Sequence, residues 1–426
     1  MTFTQKILVA MAAGILLGIG FSVFGDALQP VTGFLVDGIF NVIGRIFIAL
    51  LQMMVVPLVL VSLVCGVTSI GNVRTMGRVG AKTLALYLFT TAVAVMIALG
   101  IGTLLDPGKG FELAGEVAYE PRPAPALADV LVGMFPTNPV RALAEGQMLQ
   151  IIVFALLLGF AISVAGEAGK RIAAIFSDLD VIIMRLVLIV IKTAPLGVFA
   201  LLTQTFASQG IAAFRPLAGY FIAVVLALVL HVLVTYFGLL KLAGLGARRF
   251  FGKMRSVMTF AFSTSSSNAT IPVTLETLEY SLGVRNAIAS FTVPLGATIN
   301  MDGTAIMQGV ATVFIANVYG VDLHVTDYLV VIVTATLASI GTAAVPSAGL
   351  IMLAMVLTQV GLPVEGIALI IGIDRLLDMM RTAVNVTGDS VVTCVVARTE
   401  GELDLDTFND PDAAPQPASM TEPLKP

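Results

Sequence analysis

The sequence has little charge for its length. Only 12% of its 426 residues are Asp, Glu, Lys or Arg, whereas soluble proteins average about 25%. Hydrophobic residues make up 58% of the chain, and the mean hydropathy is +0.99. Long apolar runs recur along nearly the whole length, which excludes a soluble domain of any size. The composition therefore predicts an integral membrane protein without a separate catalytic or nucleotide-binding domain.

Cysteine and histidine are also scarce. The two cysteines, Cys65 and Cys394, lie inside apolar runs, where we expect small buried hydrophobic residues rather than a disulfide or a metal pair. The two histidines, His231 and His324, lie far along the chain from the serine cluster at 263–267, and no nucleophile elbow is present. An intramembrane serine hydrolase is therefore disfavoured, and we expect no enzyme. A net charge of −4 gives no reason to expect a nucleic-acid partner.

Apolar runs of about 20 residues predict membrane-spanning helices. Six conventional candidates come first, at 7–24, 41–70, 83–104, 148–166, 181–205 and 219–243. Four more hydrophobic segments are interrupted by polar residues, glycine and proline, at 250–278, 284–318, 328–362 and 364–397. Such interruptions are tolerated at membrane depth where protein covers the backbone or where it lines a cavity. The first run, which follows Lys6, has a secretory signal as its alternative interpretation.

The charged connections predict an orientation. Basic residues fall on alternate connections, which should be cytoplasmic: Lys6, Arg74, Arg78, Lys82, Lys170, Arg171, Arg248, Arg249, Lys253 and Arg255. The segments 250–278 and 328–362 must then each enter and leave on one side, so we predict two re-entrant hairpins. Thirty-five positions separate Ser267 from Asp302 and also Pro346 from Arg381. That correspondence favours an inverted repeat, whose discontinuous helices indicate a midplane binding site.

The last hydrophobic segment carries a polar stripe. At about 100° per residue, six side chains fall within roughly 100° of one helix face: Asp374, Asp378, Arg381, Thr382, Asn385 and Asp389. Ionisable groups inside a membrane are costly unless they face protein, water or ligand, so the stripe predicts a solute or ion pathway. Arg381 can hold a carboxylate in bidentate fashion, and Asp378 can receive an ammonium. An internal ion-pair network without a ligand is the alternative, and Arg375 is expected to pair with Asp374.

Three further segments accompany the stripe. The serine-rich tip at 262–272 offers hydroxyl and N–H groups to a carboxylate, or it is a turn packed against neighbouring helices. The run Asn300-Met-Asp-Gly-Thr304 disfavours a continuous helix and gathers oxygens that suit Na⁺, or it is a kink that Asp302 stabilises. The small residues of 338–349 are typical of a gate or of a close helix contact.

These motifs resemble the glutamate/aspartate transporter family, the dicarboxylate and amino acid:cation symporters. The similarity covers nearly the whole chain, and its motifs occur in a common order: Gln52 to Leu58, Pro136 to Gln150, Ala194 to Phe199, the serine-rich tip, Asn300 to Thr304 and Asp378 to Asp389. The resemblance implies an all-α integral membrane fold with eight transmembrane helices and two re-entrant helical hairpins in inverted repeats. It also implies a homotrimer, embedded in the lipid of the cell inner (cytoplasmic) membrane, that works by an elevator mechanism.

The same resemblance divides the chain. It implies scaffold helices 1 and 2 in 1–75, transport-domain helix 3 with an external loop in 76–147, and helices 4 to 6 in 148–247. Of these, helices 4 and 5 belong to the scaffold and helix 6 to the transport domain. A transport core of hairpin 1, helix 7, hairpin 2 and helix 8 fills 248–400. Residues 401–426 are acidic and Pro-rich, and we expect a disordered cytoplasmic tail.

The site roles also come from the resemblance. It implies that Arg381 binds the side-chain carboxylate of an acidic amino acid and that Asp378 binds its amino group. The other substrate positions that it implies are Thr382, Asn385, Ser266, Ser267, Thr304, Ala343, Val345 and Gly349. Several Na⁺ ions are expected, at a first site of Gly296, Asn300, Asn385 and Asp389, a second of Thr298, Ser339, Ile340 and Thr342, and a third of Tyr87, Thr90, Thr91, Asn300 and Asp302.

The chain departs from its relatives near the substrate. Relatives carry an additional arginine where Ser265 or Met379 stands here, and Arg375 is a candidate substitute. Asn268 stands where a third serine often lies. Family members for dicarboxylates without an amino group tend to lose the acidic residue at the position of Asp378, so its presence favours an amino acid. We therefore predict sodium-coupled symport of L-aspartate and/or L-glutamate, with proton-coupled glutamate or C4-dicarboxylate symport as the alternative.

Overall fold

The computed structural model describes residues 3–24, 32–68, 77–110, 132–133, 135–210, 214–340, 348–411 and 413. These ranges are mostly helical, and their one β-bridge joins Val284 to Leu403. The first helices are α1 (Phe3–Phe24), α2 (Asn41–Thr68), α3 (Gly77–Leu105), α4 (Pro139–Glu145), α5 (Met148–Val164), α6 (Gly166–Ile191) and α7 (Ala194–Gln209). A π-helical segment, Gly33–Phe40, leads directly into α2.

The second half contains the interrupted segments. Its helices are α8 (Phe214–His231), α9 (Phe237–Leu242), α10 (Ala247–Lys253), α11 (Arg255–Thr264), α12 (Ser267–Glu276), α13 (Asn286–Ile299), α14 (Asp302–Val318), α15 (Val325–Ile340), α16 (Ala348–Gln359), α17 (Ile367–Glu400) and α18 (Leu405–Asn409). Two π-helical segments, Val232–Tyr236 and Thr277–Ser281, follow α8 and α12, and a 3-10 turn at Val364–Gly366 precedes α17.

Two of the helices are enclosed by the others. All residues of α14 from Asp302 to Ala316 are buried, as expected of a helix inside a large bundle. The long helix α17 packs against α3, α7, α8, α11, α13 and α14. Its polar stripe therefore lies inside the protein and not on its outer surface.

A close helix contact joins α1 to α7. Gly14 and Gly18 of α1 lie four residues apart, and a Cβ built on either would stand 2.7 Å from a backbone carbonyl oxygen of α7, that of Phe199 or of Thr203. Small residues at this spacing let helix backbones approach each other within a membrane. The pair accounts for the extensive packing of α1 along α7.

Three helical stretches of the described residues are long and apolar enough to cross a bilayer. They are Gly33–Leu50, Arg78–Leu105 and Arg215–Leu242. Shorter apolar helices accompany them at Val9–Phe24, Val56–Cys65, Gln150–Val164, Ala194–Ser208, Val325–Ser339 and Gly349–Gln359. The number of complete crossings stays a prediction.

The candidate span at 181–205 is interrupted within its length. Helix α6 continues to Ile191, a turn follows at Lys192 and Thr193, and α7 begins at Ala194. Pro195 lies in the first turn of α7, where its missing N–H would have no intrahelical partner in any case. Hydropathy hides this boundary because both flanking helices are apolar.

The helix interruption predicted at the Asn300 motif is confirmed. Helix α13 ends at Ile299 and α14 begins at Asp302. The serine-rich tip also separates two helices, with Ser265 in the left-handed region at a φ of 51°. Ser266 caps α12, because its hydroxyl oxygen accepts a hydrogen bond from the Ala269 N–H at 3.3 Å. Within the tip of the second predicted hairpin, 338–349, residues 341–347 lie outside the described residues.

The segment after α17 is more ordered than the composition predicts. The structure places α18 within the expected disordered tail of 401–426, and Phe408 of this helix is buried. Lys253 Nζ donates to the carbonyl oxygens of Ser281 and Thr407 at 2.6 and 2.8 Å, which ties α18 to the end of the π-helical segment Thr277–Ser281. Composition misses this segment because its anchors lie in distant parts of the chain. Residues from 414 onward lie outside the described residues.

Candidate functional site

The polar stripe of α17 is buried, and each of its six residues is at most 7% exposed. Helical periodicity places them on one face, as the sequence predicts. The stripe has two parts. Its charged part holds the arginine and the aspartates between 374 and 382, and its second part holds Asn385 and Asp389. The two parts contact different elements.

The charged part is an ion-pair network. Arg381 Nη2 donates to Asp378 Oδ1 at 2.9 Å. Arg381 Nη1 lies 2.8 Å from Asp374 Oδ1, which is an ion-pair distance at angles outside hydrogen-bond geometry. Arg375 Nη1 lies 3.2 Å from Asp378 Oδ2. Two guanidinium groups therefore face two carboxylates, and the charges of this buried cluster balance.

The ion-pair partner of Arg375 differs from the one that we expected from its position. We expected it to pair with Asp374, but its described ion pair is with Asp378, three residues later on the same helix. Residues three apart are neighbours on a helix surface, so this pairing fits the geometry. Arg375 is 4% exposed. Asp378 therefore contacts an arginine through each of its oxygens.

Several buried polar atoms around this network lack a hydrogen-bond partner among the described residues. They are Arg381 Nε and Nη1, both carboxylate oxygens of Asp374 and the hydroxyl of Tyr220 on α8. A buried polar group without a partner costs about 1–3 kcal/mol. A guanidinium group whose N–H donors are not all used in hydrogen bonds can bind a further carboxylate. The vicinity of Arg381 thus has unused capacity for an acidic ligand.

The start of α16 lies beside this arginine. A Cβ built on Gly349 would stand 3.7 Å from Arg381 Nη1 and 2.9 Å from Thr304 Cγ2. The structure therefore brings together Gly349, Thr304 and Arg381, all three predicted at the substrate site. Two further predicted substrate residues, Ala343 and Val345, lie outside the described residues.

Asn385 ties α17 to the interrupted helix. Its Oδ1 accepts the Gly303 N–H at 2.7 Å, and its Nδ2 donates to Thr304 Oγ1 at 3.4 Å. Thr382, one turn before, donates to the Asp378 carbonyl at 2.8 Å. Asn385 thereby holds the first turn of α14 against the middle of the stripe.

The serine-rich tip meets α17 through its helices. Both α11 and α12 pack against α17, and Ser267, the first residue of α12, is 4% exposed. Ser266 and Ser267 stand at the N-terminal end of α12, where N–H groups and the helix dipole favour an anion. Their role toward a substrate stays a prediction.

The residues of the first predicted sodium site meet at Asp389. Asn300 Nδ2 donates to Asp389 Oδ1 at 3.0 Å. A Cβ built on Gly296 would stand 2.5 Å from the same oxygen and 2.6 Å from the hydroxyl of Tyr87. This hydroxyl donates to the Thr292 carbonyl at 2.9 Å. Gly296, Asn300 and Asp389 are thus close neighbours, with Asn385 one turn away on the stripe.

The residues of the third predicted site surround Asp302. Thr91 Oγ1 donates to Asp302 Oδ1 at 2.6 Å. Thr90 Oγ1 lies 3.3 Å from the same oxygen and 3.2 Å from Asn300 Oδ1. Both threonines and Asp302 are 0% exposed. Hydroxyl, amide and carboxylate oxygens in one dry place are ligands that a hard cation prefers.

The second predicted site is only partly described. Ser339 Oγ donates to the Ile299 carbonyl at 2.9 Å, which joins the end of α15 to the end of α13. Thr298 is exposed, and its hydroxyl donates to the Leu295 carbonyl of its own helix at 2.9 Å. Ile340 is the last residue of α15, and Thr342 lies outside the described residues.

Sequence reasoning missed two residues that contact Asp302. His231 Nε2 lies 3.2 Å from Asp302 Oδ2, and the Tyr236 hydroxyl lies 2.8 Å from the same atom. The sequence offered one signal, a histidine inside an apolar run, which we did not connect with Asp302. Within the described part of the chain, no group of three or more His, Cys, Asp or Glu side chains could hold a metal ion.

Comparison with known proteins gives a consistent result. The family model of the sodium:dicarboxylate symporter family matches residues 3–399. A proton/sodium-glutamate symport protein of Bacillus subtilis is 32% identical, with 93% of this chain and 92% of the relative covered. A proton/glutamate-aspartate symporter of Escherichia coli is 32% identical over 94% and 93% of the two chains. A C4-dicarboxylate transport protein of Rhodospirillum rubrum is 33% identical over 94% and 89%.

Proposed function

Because the chain belongs to the sodium:dicarboxylate symporter family, we propose that it takes up L-aspartate and/or L-glutamate together with sodium by secondary active symport. It is a multi-pass protein of the cell inner membrane. The family is one of transporters, which supports transport and not catalysis as the role of this chain. The substrate class that the names of relatives support is an acidic amino acid or a dicarboxylate.

The pairing of Arg381 with Asp378 is the observation that favours an acidic amino acid as the substrate. The two side chains lie 2.9 Å apart on one buried face, beside Thr304 and Gly349. A guanidinium group binds a carboxylate, and a neighbouring carboxylate binds an ammonium. An α-amino acid with an acidic side chain presents both groups at once. A dicarboxylate without an amino group would offer Asp378 no ammonium group to bind.

The observed network sets a condition on binding. Arg381 has Asp374 and Asp378 as partners, so a substrate carboxylate must take its place beside Arg381 in competition with them. The nitrogens Nε and Nη1 have no hydrogen bond to give up among the described residues. We propose that the substrate carboxylate binds the guanidinium group of Arg381, with Nε as one of its donors. Asp374 and Asp378 are then the partners of Arg381 when no substrate is bound, and they do not exclude a ligand.

Sodium is the proposed co-transported ion because of the oxygens around Asp302 and Asp389. The two carboxylates are 0% and 1% exposed. Threonine hydroxyls of α3 lie next to Asp302, the Asn300 amide oxygen lies next to one of them, and the Asn300 amide nitrogen donates to Asp389. Moving buried negative charge through an apolar interface is costly. Bound cations would neutralise it, so that only the protein loaded with cations and substrate crosses. This requirement would couple the transport of substrate to the transport of sodium.

The large-scale mechanism is proposed by analogy with the family. Segments 1–75 and the first two helices of 148–247 would form the scaffold of a homotrimer. Segment 76–147, the last helix of 148–247 and segment 248–400 would move as an elevator, with 250–278 and 328–362 as re-entrant hairpins. The second hairpin would close over substrate and ions. The packing of α13, α14 and α16 against α17 supports a common moving unit.

Uptake of labelled aspartate into proteoliposomes tests the proposal. We expect accumulation with an inward sodium gradient at equal pH, and none with a pH gradient alone. Sodium-independent uptake driven by a pH gradient would refute sodium coupling and favour a proton-coupled glutamate symporter. Strong competition by succinate would favour the second alternative, a C4-dicarboxylate symporter. Both alternatives are kept because the names of relatives include proton-coupled and C4-dicarboxylate proteins.

A further inference from the structure

Asp302 is held on both of its oxygens. Thr91 and Thr90 of α3 approach Oδ1, whereas His231 and Tyr236 approach Oδ2 from the opposite side at 3.2 and 2.8 Å. All four side chains are buried. The threonines belong to the predicted third sodium site. The histidine and the tyrosine belong to no predicted site.

A π-helical insertion makes the two contacts on Oδ2 possible. His231 and Tyr236 are five residues apart, and in a regular α-helix such residues point about 140° away from each other. The segment between them, Val232–Tyr236, is π-helical, with an i→i+5 turn that returns the chain to the same face. Their rings accordingly lie only 4.7 Å apart between centroids. Such insertions are rare and frequently occur at functional sites.

The direction of the hydrogen bonds follows from the chemistry of the groups. An ionised carboxylate only accepts, so His231 Nε2 donates to Asp302 whichever charge the ring carries. The other ring nitrogen, Nδ1, lies 3.1 Å from the Thr235 hydroxyl, which fixes the orientation of the ring. The Tyr236 hydroxyl has one proton and lies nearer to Asp302 Oδ2 than to the Val384 carbonyl, which is 3.2 Å away.

Space for this arrangement comes from α17. A Cβ built on Gly388 would collide with the Tyr236 hydroxyl and stand 2.9 Å from Asn300 Nδ2. The absence of a side chain at Gly388 lets Tyr236 and Asn300 approach from two sides. Three elements, α14, α17 and the end of α8, are thus fitted together around one carboxylate.

We propose that His231 and Tyr236 are positioning residues of the third cation site. They hold Oδ2 of Asp302, so that Oδ1 stays turned toward Thr90, Thr91 and Asn300, where the cation would bind. This inference rests on the proposed sodium symport, because it assigns a role within one of its ion sites. Neither residue contacts the cation in this account. Their removal should therefore weaken sodium binding more than substrate binding.

The test measures aspartate binding to the purified full-length protein by calorimetry at increasing sodium concentrations. His231→Leu removes the donor, and Tyr236→Phe removes only a hydroxyl. We expect each variant to raise the sodium concentration at half-maximal binding by about tenfold or more, because a hydrogen bond to a charged group is lost. Aspartate affinity at saturating sodium should change little. His231→Gln keeps an N–H donor and should stay near the native value.

Exposed His324, the second histidine of the chain, provides the matched control, and His324→Gln should behave as the native protein. The inference is overturned if folded His231→Leu and Tyr236→Phe titrate with sodium like the native protein. It is also overturned if His231→Gln loses as much sodium affinity as His231→Leu. A third refuting result is an aspartate affinity at saturating sodium that falls as far as the sodium affinity. In both cases the residues would act on general packing. If aspartate binding to the native protein does not depend on sodium, the proposed function is refuted, and the inference with it.

Discussion

Replacement of Asp378 by asparagine separates recognition of the substrate's amino group from recognition of its carboxylate. The change keeps the size of the side chain and removes its negative charge. In the structure this carboxylate accepts from Arg381 at 2.9 Å and lies 3.2 Å from Arg375. After the change, an ammonium group would meet a neutral amide next to a positively charged Arg375. Aspartate should therefore lose affinity, whereas succinate, which has no ammonium group, should lose much less.

The magnitude follows from the loss of a buried charge pair. Truncating one partner of a buried, hydrogen-bonded charge pair costs about 2–5 kcal/mol of binding free energy. At about 1.4 kcal/mol per factor of ten, this is roughly a thirtyfold to several-thousandfold loss of aspartate affinity. Arg381 keeps Asp374 at 2.8 Å, so its carboxylate-binding group stays in place.

Competition of unlabelled aspartate and succinate against labelled aspartate binding measures both affinities. The matched control is Asp374→Asn, which changes the other carboxylate partner of Arg381 on the same helix face. Because aspartate and succinate both offer a carboxylate to Arg381, the control should shift the two affinities in the same direction. An Asp378→Asn protein that loses aspartate and succinate affinity equally would refute the assignment of Asp378 to the amino group.

Three other substitutions test the remaining parts of the site. Arg381→Cys should abolish aspartate uptake and admit neutral amino acids, measured by uptake of labelled serine; unchanged aspartate affinity would contradict its role. Asp389→Asn should raise the sodium requirement of aspartate binding by about tenfold or more, because a buried carboxylate ligand is lost, whereas exposed Asp406→Asn should leave the sodium titration unchanged. Gly388→Ala should lower the free energy of unfolding by about 1–3 kcal/mol through overpacking against Tyr236, measured as a lower melting temperature. Gly100→Ala, with open space around its Cβ, is the control and should not lower it.

Local patterns predicted the parts of the site that lie on one element. The stripe of α17 follows from helical periodicity, and the interruption at Asn300 follows from three residues that disfavour helix, Asn300, Asp302 and Gly303, within four positions. The approach of Thr90 and Thr91 to Asp302 joins positions 211 and 212 residues apart. Their assignment came from resemblance to a family, because no spacing rule reaches so far along the chain.

Other features depend on tertiary packing and were not predicted. The boundary at Lys192 lies between two apolar helices, so hydropathy does not mark it. The π-helical insertion after His231 has no signature in composition, yet it decides that His231 and Tyr236 share a partner. The ion pair of Arg375 with Asp378 was not predicted either, because Asp374 and Asp378 are both near Arg375 on the helix and we expected Asp374.

The sodium dependence of substrate binding tests the central claim most directly. Purified protein is freed of sodium, and aspartate binding is measured by calorimetry in choline chloride and at rising sodium chloride with constant pH and ionic strength. If cations complete the buried carboxylates Asp302 and Asp389, aspartate affinity should rise steeply with sodium and be weak in choline. Equal affinity in choline and in sodium would contradict the claim.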